Sequence, residues 1–116
     1  MKKIRKIKIK SFKSFSGQLI PINFNKNFPF QIKRIFFLHG LKNKIRGDHA
    51  HKKCSQIFMP ISGKTFLFTK TSYSEKKFLL DRNSKHAILV PPKYWCSVKF
   101  VKKNSTLMVM SDRYYE

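Results

Sequence analysis

The apolar residues of this chain recur with a period of two rather than 3.6, and this alternation is the feature that most constrains the fold. Near the amino terminus, in "IRKIKIK", Ile7 and Ile9 alternate with Lys6, Lys8 and Lys10. Alternate residues of an extended strand point to opposite faces, so the segment is typical of a strand with one apolar and one solvated face. No segment of the sequence predicts a long helix.

Seven further segments are at most nine residues long and rich in Phe, Ile, Val and Thr. They cover residues 30–38, 56–62, 64–71, 76–81, 87–91, 96–101 and 106–110, and Gly, Pro, Asn, Ser and Lys turns separate them. Short strands at such spacing predict an all-β sandwich or barrel. Pro60 lies inside one of these segments, where an edge, a bulge or a strand end would accommodate it. The 12 phenylalanines are expected to fill the core.

The length and the charge of the chain limit what it can be. A chain of 116 residues supports one domain, which we place at residues 1–116. Its 26 Lys and Arg against 5 Asp and Glu give a net charge of +21. Because the excess is mostly Lys spread along the chain, solvated basic faces are the favoured interpretation, and binding of a phosphorylated or nucleotide-linked small molecule is the alternative. The basic residues form no arginine-rich block and accompany no nucleic-acid-reading motif, so specific nucleic-acid binding is not expected.

The amino-terminal residues and the cysteines indicate the compartment. "MKKIRKIKIKSFKSF" begins like a secretory leader, but the apolar run that should follow is missing. No window approaches the length of a membrane span. We therefore expect a cytoplasmic protein, not bound to membranes, in which Cys54 and Cys96 are reduced thiols rather than a disulfide.

The segment "RGDHAHKK" carries two of the four histidines, His49 and His51, separated by one residue. On a strand, both imidazoles would point to one face. Four residues separate His51 from Gln56, and six more separate Gln56 from Gly63. This spacing resembles the first cupin motif, with Gln56 where a metal-binding Glu usually stands. The second cupin motif places a further ligand five residues after a proline, and counting from Pro91 this position is Cys96.

The substitution at Gln56 bears on metal binding. Gln brings no charge and only one carbonyl oxygen, so it replaces a carboxylate ligand poorly. Zinc held by His49, His51 and Cys96 stays an alternative, but a metal-free use of the histidines is favoured. Histidine exchanges protons near neutral pH. Two histidines on one face can therefore take a proton from one atom and return it to a neighbouring atom, as an enediol reaction requires.

The chain resembles the sugar-nucleotide 3,4-ketoisomerases, which are small cupins acting on TDP-4-keto-6-deoxy-D-glucose. "RGDHAHKK", "GQLIPI", "FPFQIKRIFFL", "ILVPPKYW" and "SDRYYE" carry the resemblance, which spans nearly the whole chain. It implies a single-domain cupin of the RmlC-like jelly-roll type that works without metal or other cofactor. It also implies a homodimer, with strands exchanged between subunits, and the long segment "KIRKIKIKSF" suits such an exchange.

The resemblance implies that the keto group moves from C4 to C3 of a dTDP-linked hexose, on the way to a 3-amino-3,6-dideoxy sugar of surface glycans. His49 and His51 correspond to the acid/base residues, with His49 as the base that takes the C3 proton. From the residues themselves, Arg34 and Arg46 are candidate diphosphate ligands, and Gln56 and Cys96 are expected to face the sugar. The alternatives are a non-catalytic cupin that binds a sugar nucleotide, and a metal-dependent cupin enzyme.

Overall fold

The computed structural model describes residues 2–114, with only the backbone described for residues 47–49. Within this range the chain forms eleven strands and one 3-10 turn, Arg82–Ser84. The strands are β1 (Arg5–Lys8), β2 (Phe12–Ser14), β3 (Gly17–Leu19), β4 (Arg34–His39), β5 (Ile45–Ala50), β6 (Gln56–Ser62), β7 (Lys64–Lys70), β8 (Glu75–Asp81), β9 (His86–Val90), β10 (Trp95–Phe100) and β11 (Thr106–Ser111). The all-β prediction is confirmed.

The strands form two antiparallel sheets and a separate hairpin. One sheet has the order β1-β9-β6-β11-β4, the other β5-β10-β7-β8, and β2 pairs only with β3. From β4 to β11 the chain changes sheet at every connection except the β7–β8 hairpin. This alternation is typical of a jelly roll, in which each sheet is built from strands distant in sequence.

The five-stranded sheet is apolar on both faces. Its inner face packs against the four-stranded sheet through a buried cluster that includes Phe58, Leu67, Val98 and Phe100. On its outer face a second cluster, which includes Ile57 and Met59, is covered by side chains from the amino-terminal segment of residues 20–32. Neighbouring residues of β6 thus enter different clusters, because successive side chains of a strand point to opposite faces.

Pro60 is accommodated inside β6 by the way that strand is paired. β6 bonds to β9 only from Gln56 to Phe58, so Pro60 lies beyond the end of that ladder. On the other side, the register with β11 shifts between Thr106 and Leu107, which places a β-bulge beside Pro60. A residue without an N–H is tolerated at such a point, because no ladder hydrogen bond is required of it.

The phenylalanines fill the core only in part. Phe58 and Phe100 are buried, but Phe12, Phe15, Phe24 and Phe37 are exposed. The exposed ones lie on the β2–β3 hairpin, on the segment before β4 and on the outer face of the edge strand β4. Their position outside the sandwich explains the difference from the sequence expectation.

The assignment of one domain to residues 1–116 stays a prediction. Among residues 2–114, no helix is long and apolar enough to cross a bilayer.

Candidate functional site

A cavity of about 890 Å³ opens at one end of the sandwich. Strands β4, β5, β6 and β10 supply its walls, and the segments after β5 and after β11 supply its rim. Buried Phe58 and Val98 give it an apolar floor. A pocket of this size is suited to a small organic ligand. The structure brings five of the six predicted site residues to this cavity: Arg34, Arg46, His51, Gln56 and Cys96.

The two histidines do not stand on the same strand. β5 ends at Ala50, so His49 belongs to the strand and His51 is the first residue beyond it. His51 is half-buried and lines the cavity, and its carbonyl accepts a hydrogen bond from the backbone N–H of Lys93 at 2.8 Å. The backbone of His49 pairs with Cys96. The side chain of His49 lies outside the described part of the structure, so its placement in the cavity stays a prediction.

A β-bulge lies directly before the histidine pair. Cys96 pairs with His49 but the next residue, Ser97, pairs with Gly47, so β5 contains one extra residue at Asp48. A bulge bends its strand and changes the direction in which the following side chains point. Residue alternation counted along the sequence therefore does not carry across this point. Arg46, on the near side of the bulge, lines the cavity.

The lining of the cavity is strongly basic. Five cationic side chains contribute to it, and no carboxylate does among the lining residues that the structure describes. Arg34 is half-buried, with its guanidinium carbon 4.5 Å from the centroid of the Phe36 ring, whereas the other four cations are exposed. Such a lining favours an anionic ligand whose charge lies near the rim. The five cationic side chains are Arg34, Arg46, Lys52, Lys53 and Arg113.

Three of these cations were missed in the sequence. Lys52 and Lys53 follow the histidine pair directly, and Arg113 lies near the carboxyl terminus. Because basic residues occur throughout the chain, their type gave no reason to choose them. Their one available signal was position, since Lys52 and Lys53 belong to "RGDHAHKK" and Arg113 belongs to "SDRYYE".

Gln56 occupies the cavity wall at the start of β6 and is only 5% exposed. Its Nε2 donates a hydrogen bond to Oγ of Ser111 on the neighbouring strand β11, at 3.4 Å. Sγ of Cys54, a second lining residue, lies 3.4 Å from the same Oγ. The amide is therefore held from behind by buried polar groups. Cys54 carried no functional signal in the sequence, and the signal of Ser111 was its place in "SDRYYE".

Cys96 lines the cavity from β10 as a neutral thiol. Burial raises its pKa from the ordinary 9.0 to about 12. Its Sγ lies 3.9 Å from the carbonyl oxygen of Tyr94, to which the S–H donates. A thiol with so high a pKa is a poor nucleophile near neutral pH, because the thiolate is the reactive form. Cys96 therefore provides a polarizable, uncharged patch of wall.

Comparison with known proteins gives a consistent assignment. The family model described as "WxcM-like, C-terminal" matches residues 2–116. The TDP-4-oxo-6-deoxy-alpha-D-glucose-3,4-oxoisomerase of Aneurinibacillus thermoaerophilus is 30% identical over 101 residues, which cover 86% of this chain and 72% of that protein. The resemblance to sugar-nucleotide 3,4-ketoisomerases is thereby confirmed.

Solved structures agree with the family match. A sugar 3,4-ketoisomerase from Thermoanaerobacterium thermosaccharolyticum, in complex with TDP, superposes with a TM-score of 0.89 at 27% identity, covering 97% of this chain and 82% of that one. A His-to-Asn variant of the same enzyme was solved in complex with TDP-4-keto-6-deoxyglucose. The rmlC epimerase of Mycobacterium tuberculosis superposes with a TM-score of 0.85 at 16% identity, covering 97% of this chain and 64% of that one, which shows a shared fold.

The strand order, the jelly-roll crossings and these superpositions confirm the prediction of an RmlC-like cupin. The cavity lies where residues of the "RGDHAHKK" string meet β4, β6 and β10. Because the family model extends over residues 2–116, this chain belongs to the WxcM-like, C-terminal family of small cupins.

Proposed function

We propose that this protein is a dTDP-4-dehydro-6-deoxy-D-glucose 3,4-ketoisomerase, acting in the biosynthesis of 3-amino-3,6-dideoxy sugars for surface glycans. The observation that carries the proposal is the cavity itself, where His51 lies beside a basic rim in a chain of this family. The named relatives act on the same class of TDP-linked sugar. No metal or other cofactor takes part in the proposed reaction.

The basic residues bind the diphosphate of the substrate at the rim of the cavity, and the hexose binds deeper. Exposed Arg46, Lys52, Lys53 and Arg113 bind the diphosphate, where guanidinium groups contact two phosphate oxygens at once. Half-buried Arg34 contributes positive charge from the wall of β4. The hexose lies deeper, against the less exposed side chains of Gln56 and Cys96. Binding energy from the nucleotide thus positions the sugar at the histidines.

The chemistry is a proton transfer between adjacent carbons. His49 removes the proton from C3, which the neighbouring C4 keto group acidifies, and the C4 oxygen gains a proton to give a 3,4-enediol. His51 then handles the proton delivered to C4, while the C3 hydroxyl loses its proton and becomes the new keto group. The atoms balance without an external oxidant or reductant. Gln56 hydrogen-bonds a sugar oxygen and holds the hexose during both steps.

Deuterium incorporation tests the proposal. The protein is incubated with TDP-4-keto-6-deoxyglucose in D₂O, and the 3-keto product is trapped by an aminotransferase specific for that position. We expect deuterium in the sugar and a 3-amino product. Unchanged substrate, with TDP still bound in calorimetry, would reject the enzyme in favour of a non-catalytic sugar-nucleotide binder. Elemental analysis in parallel addresses the zinc alternative, which requires stoichiometric metal that Cys96→Ala removes together with activity.

We also propose a cytoplasmic homodimer, with exchange of an arm between subunits. Strand β1 pairs with β9 of its own chain, so the candidate arm is the β2–β3 hairpin. The hairpin exposes Phe12, Phe15 and Leu19, apolar side chains that a second subunit would bury. Light scattering should give a dimer that Phe15→Ser weakens. Tyr73→Ser, which changes an equally exposed aromatic side chain in the β7–β8 turn, should leave the dimer intact.

A further inference from the structure

A row of polar side chains lies behind the cavity wall at Gln56. Ser111 is fully buried on β11, directly opposite Gln56 in the β6–β11 pair and opposite Arg34 in the β11–β4 pair. Cys54 is buried beside it, and Ser55 bonds to Asp112 in both directions, with backbone N to Oδ1 at 2.9 Å and Asp112 N to the Ser55 carbonyl at 3.3 Å. These bonds fix the ends of β6 and β11 relative to each other.

The hydrogen bonds of this row can all be donated in one direction, from Gln56 through Ser111 to Cys54 and on to its acceptors. Besides Ser111, the single S–H proton of Cys54 has two acceptors that cannot donate, the Ser55 carbonyl at 3.5 Å and the Asp112 carboxylate. Either group can donate in the contact between Cys54 Sγ and Ser111 Oγ, at 3.4 Å, and we infer that the Ser111 hydroxyl is the donor when the S–H is directed to those acceptors. The same Ser111 oxygen accepts a hydrogen bond from Gln56 Nε2, at 3.4 Å. Burial raises the pKa of Cys54, so the thiol keeps the proton that this arrangement requires.

A flipped Gln56 amide would be unfavourable in this environment. The flip would bring Oε1 against Ser111 Oγ, whose proton is already donated to sulfur, so two acceptors would face each other without a proton between them. Hydrogen bonds in a chain also polarise one another in the same direction. The row of hydrogen bonds therefore selects one of the two orientations of the Gln56 amide, which differ by an exchange of the positions of Oε1 and Nε2.

We propose that Ser111 and Cys54 are positioning residues that fix the Gln56 amide, so that its carbonyl oxygen is the group presented to the substrate. The inference rests on the proposed function, because it assigns Gln56 the part of acceptor for a sugar hydroxyl. It also limits Gln56 chemically. In this orientation the amide accepts from the hydroxyl next to the keto group rather than donating to the keto oxygen.

Nuclear magnetic resonance of the ¹⁵N-labelled protein tests the orientation without substrate. The chain has three glutamines, Gln18, Gln31 and Gln56, and the Gln56 pair of side-chain amide signals is identified by its loss in Gln56→Glu. We expect the Gln56 amide protons to exchange with water at least about tenfold more slowly than those of exposed Gln31. Ser111→Ala should abolish this protection. Equal exchange of the two glutamines in the unsubstituted protein would overturn the proposal.

Kinetics of a matched cysteine pair give the second measurement. Cys54→Ala removes the end of the donor row and should lower kcat roughly tenfold, the usual size of one lost buried hydrogen bond. Cys54→Ser supplies an O–H in place of the S–H and should recover most of that loss. TDP affinity should stay constant in both, because TDP carries no hexose. Equal activity of Cys54→Ala and Cys54→Ser would refute the role of Cys54.

Further comparisons distinguish failure of this proposal from misfolding of a variant and from failure of the proposed function. Ser62→Ala removes a hydroxyl at the opposite end of β6, where it donates to the Asn104 carbonyl at 2.8 Å, and should change neither exchange nor kcat. If Ser111→Ala does not fold, the comparison of the kcat of Cys54→Ala with that of Cys54→Ser tests the proposal. If the unsubstituted protein does not convert TDP-4-keto-6-deoxyglucose, the proposed function fails, whereas the exchange of the Gln56 amide still decides whether the orientation is fixed.

Discussion

Replacing Gly63 by alanine is expected to destabilise the fold strongly. Gly63 joins β6 to β7 with φ +73°, in the left-handed region that favours glycine. A Cβ at this position would lie 2.2 Å from Oγ and 2.7 Å from Cα of Ser105. Ser105 is fully buried, and its Oγ accepts from the Lys64 N–H at 3.1 Å and donates to the Lys102 carbonyl at 2.7 Å. Backbone movement therefore cannot be avoided.

The size of the effect follows from these contacts. The left-handed conformation costs an alanine about 1–2 kcal/mol. Displacing Ser105 weakens two hydrogen bonds worth about 1 kcal/mol each and leaves buried groups without full partners. The unfolding free energy should fall by about 3–4 kcal/mol, a large fraction of the total for a domain of this size. Because Gly63 lies outside the cavity, activity per folded molecule should not change.

Urea unfolding measures the loss, with every variant at the same protein concentration. Gly17→Ala is the matched control, because Gly17 has φ +142° but a Cβ there would meet nothing within 4 Å. It should show only the conformational part, about 1–2 kcal/mol. The reasoning is refuted if Gly63→Ala costs no more than Gly17→Ala, since the contact with Ser105 would then contribute nothing.

Three further predictions concern the cavity. His51→Asn should abolish deuterium incorporation at C4 and formation of the 3-keto product while calorimetry still detects TDP; full activity would remove His51 from the mechanism. Arg113→Gln should weaken TDP binding roughly tenfold and reduce its salt dependence, whereas Arg82→Gln, a change at an exposed arginine outside the cavity lining, should have no effect. Cys96 has a folded pKa of about 12 against the ordinary 9.0, so its contribution to stability is complete below pH 9 and is lost as the pH rises towards 12. Urea unfolding between pH 8 and pH 11 should show a decline steeper than that of Cys96→Ala by up to about 1.4 kcal/mol per pH unit; parallel curves would contradict the assigned pKa.

Much of the secondary structure was predictable because it depends on local pattern. The segment 56–62 was predicted with the bounds that β6 has. Strands β7, β8 and β11 differ from their predicted segments by one residue at one end, and β9 and β10 by one residue at each end. Gly63 was expected at a turn, and its positive φ confirms that position. By contrast, the β2–β3 hairpin was not predicted, since its alternation is weak and its apolar side chains stay exposed.

The candidate site was predictable where the residues form a motif. His51, Gln56 and Cys96 were chosen by spacing, and Arg34 and Arg46 by chemical type, and all five line one cavity. Both histidines were predicted on one strand, whereas β5 ends at Ala50, so that His51 is the first residue beyond it, and a bulge at Asp48 precedes the pair. A bulge depends on pairing with β10, and no local pattern in "RGDHAHKK" indicates it.

The sequence by itself determined the alternation of the strands, the turn at Gly63 and the motif that identifies the family. These depend on the pleat of a strand, on backbone sterics and on residue spacing, all of which act between near neighbours. Only the tertiary structure decided which of the 26 basic residues face the cavity, and that Ser111 lies behind Gln56. Residues 56 and 111 meet because β6 and β11 pair across the sheet, and that pairing is set by the packing of the whole sandwich rather than by either strand alone.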